Sequence, residues 1–360
     1  MFINSDINDL ARDVDAAHVA SVVRVLLMLL CVVAVQPFAL GQKAGAVRES
    51  AEAREELKRR GIAYDAEAFI ERVRQNDAAA VRLFLAAGID ANAKDKDGVT
   101  ALMRAAFNDH ADIMRALLEG GADINAVDRD GWTALYVAAL AGKTTATKVL
   151  LERRADPNLK DKLGMTALMA ASINGHVEVV REMLVRGAEV NVSAKYGWTP
   201  LMAAAREGHV EIVKLLLEKR ADVRAETASG VTALMVATDR GSADIVRLLL
   251  QARADADAKT EAGVTALMVA ARNGHVAVVK ELLDHGANTN ARAVDGTNAL
   301  MAASSRGDAA TVEALLAHGA DVEAEDGEGR TALNHAEAKG ATAVVRILQE
   351  AKSRQAKPQP

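Results

Sequence analysis

Apolar and polar positions along residues 98–349 come in short helical bursts separated by polar turns. In 197–229, "GWTPLMAAAREGHVEIVKLLLEKRADVRAETAS", a first short apolar stretch is followed by the turn "EGH". A second stretch then carries Val210, Ile212, Val213, Leu216 and Leu217. In the first copy, Leu102, Ala105 and Ala106 fall on one face of a helix, the spacing of an amphipathic element. A loop containing "GAD" or "RAD" leads to a polar finger and then a glycine. Gly98, Gly131, Gly164, Gly197, Gly230, Gly263, Gly296 and Gly329 lie 33 residues apart, so the pattern is written eight times. The string "GVTALMVA" occurs letter for letter at 230–237 and at 263–270.

Each copy carries its own helix-start signal. Thr100, Thr133, Thr166, Thr199, Thr232, Thr265, Asn298 and Thr331 are residue types that accept from otherwise unpaired amides at a helix N-terminus. Pro200 stands at the first helical position, where a missing N–H costs nothing. Two short helices cannot bury an apolar face alone, whereas stacked neighbours share a continuous core. The expectation is an all-α solenoid of stacked helix-turn-helix units.

The pattern resembles the ankyrin repeat, with its period of 33 and its T-P-L-H-x-A signature. The resemblance covers roughly 98–349 and implies β-turn or hairpin fingers between the units. It also implies a non-enzymatic scaffold that binds another protein through those fingers and the concave face of the first helices. One position departs from the family pattern. Where the family carries histidine, thought to bond the threonine and an adjacent loop, this chain has Met103, Tyr136, Met169, Met202, Met235, Met268, Met301 and Asn334. Methionine fills gaps between layers; the alternative is a redox-protective stripe of oxidisable thioethers.

The ends differ from the middle. Residues 63–97 lack the G-x-T-A-L start and read as a degenerate capping repeat, preceded by a helical linker over 42–62. The last unit, "GRTALNHAEAKG", is more polar than its siblings, and 350–360 reads as a disordered tail. Val25–Val35, "VLLMLLCVVAV", follows Arg24 and precedes Ala39 and Gly41, so 1–41 reads as a signal peptide or a membrane anchor. The run is too short for an ordinary span of about 20 apolar residues. A periplasmic or secreted location follows, or an inner-membrane anchor with the array facing the periplasm. Removal of this segment takes Cys31, the only cysteine, and with it every thiol-based function.

Composition narrows the field further. Half the chain is hydrophobic but only 3% is aromatic, which favours thin, closely apposed helices. The formal charge of −5 carries no basic face of the kind nucleic acid requires. The expected partner is another protein, with no nucleic acid, no membrane contact beyond the N-terminal segment, and a monomeric chain.

Fingers vary while the frame repeats: "KDKD" at 94–97, "VDRD" at 127–130, "KDKL" at 160–163, "SAKY" at 193–196 and "ETAS" at 226–229. Variable loops on a rigid frame are where binding resides. Trp132, Tyr136, Tyr196 and Trp198 are the partner-binding candidates, because aromatics anchor interfaces; the competing role is packing over a neighbouring finger. His110, His176, His209 and His275 sit in the inter-helix turn at multiples of 33, too far apart to share a zinc ion, and no metal or cofactor site is expected. Gly142-Lys143-Thr144 lacks the earlier glycine and preceding strand of a phosphate loop. Arg154, Arg220 and Arg253 replace cap glycines, so each either accepts a left-handed backbone or sits in a different loop. No catalytic constellation stands apart from the repeat.

Overall fold

A computed structural model describes residues 51–355. The apolar segment with Cys31, the whole of 1–50 and the last residues, 356–360, lie outside that range. A helix α1 (Ala51–Arg59) precedes nine helix pairs. These are α2 (Ala66–Arg74) with α3 (Ala78–Ala86), α4 (Ala101–Phe107) with α5 (Ala111–Glu119), and α6 (Ala134–Leu140) with α7 (Thr144–Glu152). Then come α8 (Ala167–Ile173) with α9 (Val177–Val185), α10 (Pro200–Glu207) with α11 (Val210–Glu218), and α12 (Ala233–Asp239) with α13 (Ala243–Gln251). The last three are α14 (Ala266–Asn273) with α15 (Val276–Asp284), α16 (Ala299–Arg306) with α17 (Ala309–Ala317), and α18 (Ala332–Lys339) with α19 (Thr342–Gln355). The described residues contain no strand. Isolated bridges Lys94–Thr100, Glu226–Thr232 and Glu325–Thr331 close the bases of three fingers.

The predicted caps operate in seven of the eight copies. Thr100, Thr133, Thr166, Thr199, Thr232, Thr265 and Asn298 each accept from the amide three residues on, at 2.9–3.4 Å. In the last copy Asn334 Oδ1 instead accepts from the Thr331 amide and hydroxyl. The first helices are buried nearly all round because they lie between neighbours on both sides. The second helices bury one stripe, such as Ile212, Val213 and Leu216.

Three ties recur between layers. The first joins fingers. Lys162, Lys195, Ala228, Glu261, Val294 and Gly327 each donate a backbone N–H to the finger before, at 2.8–3.0 Å. Gly230 shows why the finger ends in glycine. Its φ is 79°, and a Cβ there would lie 2.9 Å from the Lys259 carbonyl oxygen of the next finger. The second tie is the turn histidine. His176, His209 and His275 donate Nε2–H, and His110 donates Nδ1–H, to a carbonyl of the preceding layer at 2.9–3.1 Å. The third tie is a loop side chain. Asn92, Asn125, Asn158, Asn191, Asp257 and Asn290 each accept from an amide 31 residues later, at 2.7–3.0 Å.

Two boundaries differ from the sequence expectation. The predicted linker contains α1, which packs on α3: Leu57 and Ala53 are buried, and Arg54 Nε donates to the Ala87 carbonyl at 3.3 Å. Tyr64 donates to the same carbonyl at 2.7 Å and stacks on Phe84 at 5.9 Å between ring centres. The two apolar residues of "AREELKRRG", Ala53 and Leu57, are too few to announce a packed helix, yet they suffice to cover the end of a stack. At the other end α19 runs to Gln355, so 350–355, expected in a disordered tail, are helical. Val344 and Leu348 anchor this helix, and Lys352 pairs with Glu323 at 2.8 Å.

Arg154, Arg220 and Arg253 take φ values of 64°, 62° and 66°. The loop is therefore unchanged, and arginine occupies the left-handed conformation of its glycine siblings at about 1 kcal/mol each. Around Gly121, Gly187, Gly286 and Gly319 a Cβ would meet nothing within 4 Å, so space is not what limits the substitution.

Candidate protein-interaction surface

The four aromatic candidates do not form one exposed patch. Trp132, Tyr136 and Trp198 are buried, at 6%, 4% and 8% exposure, and only Tyr196 faces solvent, at 44%. Trp132 and Tyr136 stack with ring centres 5.1 Å apart. Both donate to the carboxylate of Asp161 on the following finger. Asp161 Oδ1 also accepts from the amides of Leu163 and Met165, at 2.8 and 2.9 Å. Burial raises the Asp161 pKa, and these four donors oppose the rise. Burial, followed by the Asp161 charge, pushes the Tyr136 hydroxyl well above its ordinary value. The pair is a clamp between layers.

Tyr196 differs in its backbone. The finger Asp seen at Asp161 is replaced by Ala194, which has no side-chain acceptor for the turn. The chain tightens into a 3₁₀ turn over Lys195–Gly197, and Tyr196 adopts φ 62°. A left-handed tyrosine is strained, and an exposed, strained residue on a loop is a pointer to function. Lys195 Nζ lies 4.9 Å from its ring centre.

The exposed large apolar residues of the described chain are Val127, Leu163, Val185, Tyr196 and Val294. All but Val185 stand on fingers. Val127, Leu163 and Tyr196 occupy three consecutive fingers, two of them immediately before the finger glycine. Sequence reading favoured large aromatics and so selected the buried clamp. The signal for Val127 and Leu163 was available, as apolar letters inside otherwise polar fingers.

The terminal fingers are pinned by charge. In the first copy the buried Arg104 pairs with Asp95, its Nε at 3.2 Å from Oδ2. In the last, His335 Nε2 meets Asp326 Oδ2 at 2.9 Å. Asp326 also accepts from the Glu328 and Arg330 amides at 2.9 Å. Burial works against ionisation there, but these bonds together hold the carboxyl well below its ordinary range. Ser305 Oγ lies 3.1 Å from His335 Nδ1, completing a Ser-His-Asp chain that sequence reading did not find. Its Asp and His occupy the positions of Asp95 and Arg104, so the chain is the last copy's version of a finger-to-helix tie.

The methionine column is core. Met103, Met169, Met202, Met235, Met268 and Met301 are 0–6% exposed, out of an oxidant's reach while the stack is closed. Met103 Sδ accepts from the Thr100 amide at 3.5 Å, taking over part of the bonding expected of histidine. Among the described residues no group of three His, Cys, Asp or Glu side chains is placed to hold a metal ion, and no helix is long and apolar enough to cross a membrane.

A family model of ankyrin repeats (3 copies) matches residues 69–161, 143–227, 221–293 and 288–358. The chain belongs to the ankyrin-repeat family. No curated protein matches it. Repeats of this family generally mediate protein–protein interaction and are typically non-enzymatic. The match begins at Phe69, inside α2, so the helix pair of 63–97 falls largely within it.

Proposed function

We propose that this chain is a non-enzymatic scaffold that binds another protein through its fingers, centred on Tyr196 and flanked by Leu163 and Val127. The carrying observation is the exposed, left-handed Tyr196, with an exposed apolar residue on each of the two fingers before it. An aromatic side chain with a polar tip is a favoured interface anchor. The fingers themselves are held by interlayer hydrogen bonds, so the patch is presented without loss of loop entropy on binding. The buried Trp132, Tyr136 and Trp198 support the frame beneath it.

The test is a pull-down from envelope and soluble fractions with the purified chain as bait. Tyr196→Ala combined with Leu163→Asp should abolish recovery of a specific partner. Equal recovery by this variant and wild type would sink the finger patch. The reading also places the array outside the cytoplasm as a monomer, with 1–41 removed. N-terminal sequencing should then give a start near Gln42.

A further inference from the structure

The row of residues at the C-terminal ends of the first helices changes character along the stack. In the first three copies it holds Phe107, Leu140 and Ile173. From the fourth copy onward a cation stands either at that position, as Arg206 and Arg272, or one residue later, as Arg240, Arg306 and Lys339, with Asp239 and Glu207 the acids at these two positions. Arg272, Arg306 and Lys339 stand in three successive layers and line an open groove of about 420 Å³ with Ala302 and Ser305.

What sets these three cations apart is that they are gathered without an acid. On the second helices several cations find one: Arg115 with Asp112 at 3.0 Å, Arg181 with Glu178 at 3.6 Å, Lys214 with Glu211 at 3.6 Å, and Arg247 with Glu281 at 3.1 Å. Lys148 and Lys280, which have none, stand singly on theirs. Arg272, Arg306 and Lys339 make no ion pair with any described residue. Nη2 of Arg272 is shielded from solvent with no hydrogen-bond partner. Arg306 Nη1 donates to the Arg272 carbonyl at 3.4 Å, which braces one guanidinium across the backbone of the layer before. The nearby acids are occupied or turned elsewhere: Asp308 caps α17 through Thr311, and Asp326 is bonded by His335 and Arg330. Glu337 stands exposed on α18, outside the groove lining.

Three like charges gathered in a chain of net charge −5, without internal counter-charge, are a standing electrostatic cost that an anionic ligand would relieve. The groove lining contains no aromatic side chain on which a base could stack, which disfavours single-stranded nucleic acid. Layers about 8–10 Å apart match one turn of a peptide in the extended polyproline-II conformation, which rises about 3.1 Å per residue and returns to the same face every third residue. We propose that this groove binds an extended acidic peptide segment of a protein partner, with one carboxylate every third residue meeting Arg272, Arg306 and Lys339 in turn. The proposal rests on the protein-binding reading and gives that reading a second, chemically defined contact.

The probe is a fluorescent peptide of four Glu-Thr-Ser triplets, with Gln-Thr-Ser as control, titrated against the full chain by anisotropy. The glutamate peptide should bind about tenfold or more tighter than the glutamine one, and salt should weaken it as it does other exposed charge contacts. Arg272→Gln/Arg306→Gln/Lys339→Gln should remove that preference, whereas Arg115→Gln/Lys214→Gln/Arg247→Gln should leave it. Arg306→Glu/Lys339→Glu should transfer the preference to a Lys-Thr-Ser peptide, a gain that a misfolded variant cannot show. Equal binding of the glutamate and glutamine peptides overturns the proposal, and so does tighter binding of an oligothymidylate than of the glutamate peptide. A partner recovered equally by wild type and by the triple glutamine variant removes the groove and leaves the scaffold. A wild-type chain that recovers no partner removes the scaffold reading itself.

Discussion

Two joints of the stack, each following a tryptophan, are built to different standards. The joint after Trp132 joins the pair α6–α7 to the finger at 160–163 and the pair α8–α9 that follows it. There Trp132 and Tyr136 donate to Asp161, His176 reaches the Leu140 carbonyl at 3.1 Å, and Asn158 accepts from the Glu189 amide at 2.8 Å. The joint after Trp198 joins the pair α10–α11 to the finger at 226–229 and the pair α12–α13 that follows it. There the tyrosine is Met202 and the finger aspartate is Thr227, whose hydroxyl accepts from its own finger's Val231 amide. Trp198 Nε1 is consequently buried with no partner, as is Thr238 Oγ1 in the next layer. The turn histidine is Ser242, which makes no side-chain cap bond, and the loop asparagine is Arg224, which has no acceptor to offer. The finger-to-finger bond survives, from the Ala228 amide to the Tyr196 carbonyl at 2.9 Å. Identical backbone frames can therefore carry interfaces of unequal strength. In an array whose stability is a sum over neighbours, the joint after Trp198 is where partial opening should begin.

The comparison can be broken most sharply at Asp161. Asp161→Ala strands two buried side-chain donors and should destabilise by about 2–4 kcal/mol in urea titration. Thr227→Ala, its counterpart at the weaker joint, should lose about 1 kcal/mol. Next, His176→Ala should lose about 1–2 kcal/mol while Ser242→Ala stays within about 0.5 kcal/mol, since only the first removes an interlayer bond. Similar losses for the two would mean that the histidine bonds add nothing.

Repair is a milder test. Ser242→His with Arg224→Asn restores both missing ties and should add about 1 kcal/mol, slowing amide exchange on both sides of the joint. The smallest effect expected is one of pH. Burial lowers the His176 pKa below its ordinary 6.5, ahead of the opposing bond to Leu140. The unfolded chain then binds the proton more readily than the folded one. This contribution is complete above about 6.5 and is lost as pH falls from there toward the folded value. A denaturation midpoint in the His176→Gln chain that drops as steeply between pH 7.5 and 5.5 as in wild type would refute the assignment.

Much of the frame was legible. The period of 33, the capping threonines, the finger glycines and the apolar stripes are local properties, each readable within one copy, and the helix pairs stand where the stripes put them. The linker was read as helical, but the packing of α1 on the stack was not foreseen, because two apolar letters in a charged segment make a weak pattern. Their burial depends on Phe84 and Ala87, some thirty residues away. The candidate site was less legible. Trp132, Tyr136 and Trp198 advertise binding by type, but type does not say which side of a finger a ring lies on.

The sequence by itself determined that the chain is a stack of helix pairs and where each helix starts, because these follow from backbone geometry within one copy. Only the tertiary structure decided which side chains are spent on holding layers together and which are left for a partner. A donor such as Trp132 Nε1 finds its acceptor in the next layer, and Arg272, Arg306 and Lys339 become one groove only when three copies are laid side by side. Those placements depend on distances between packed layers, which the letters of a copy do not state.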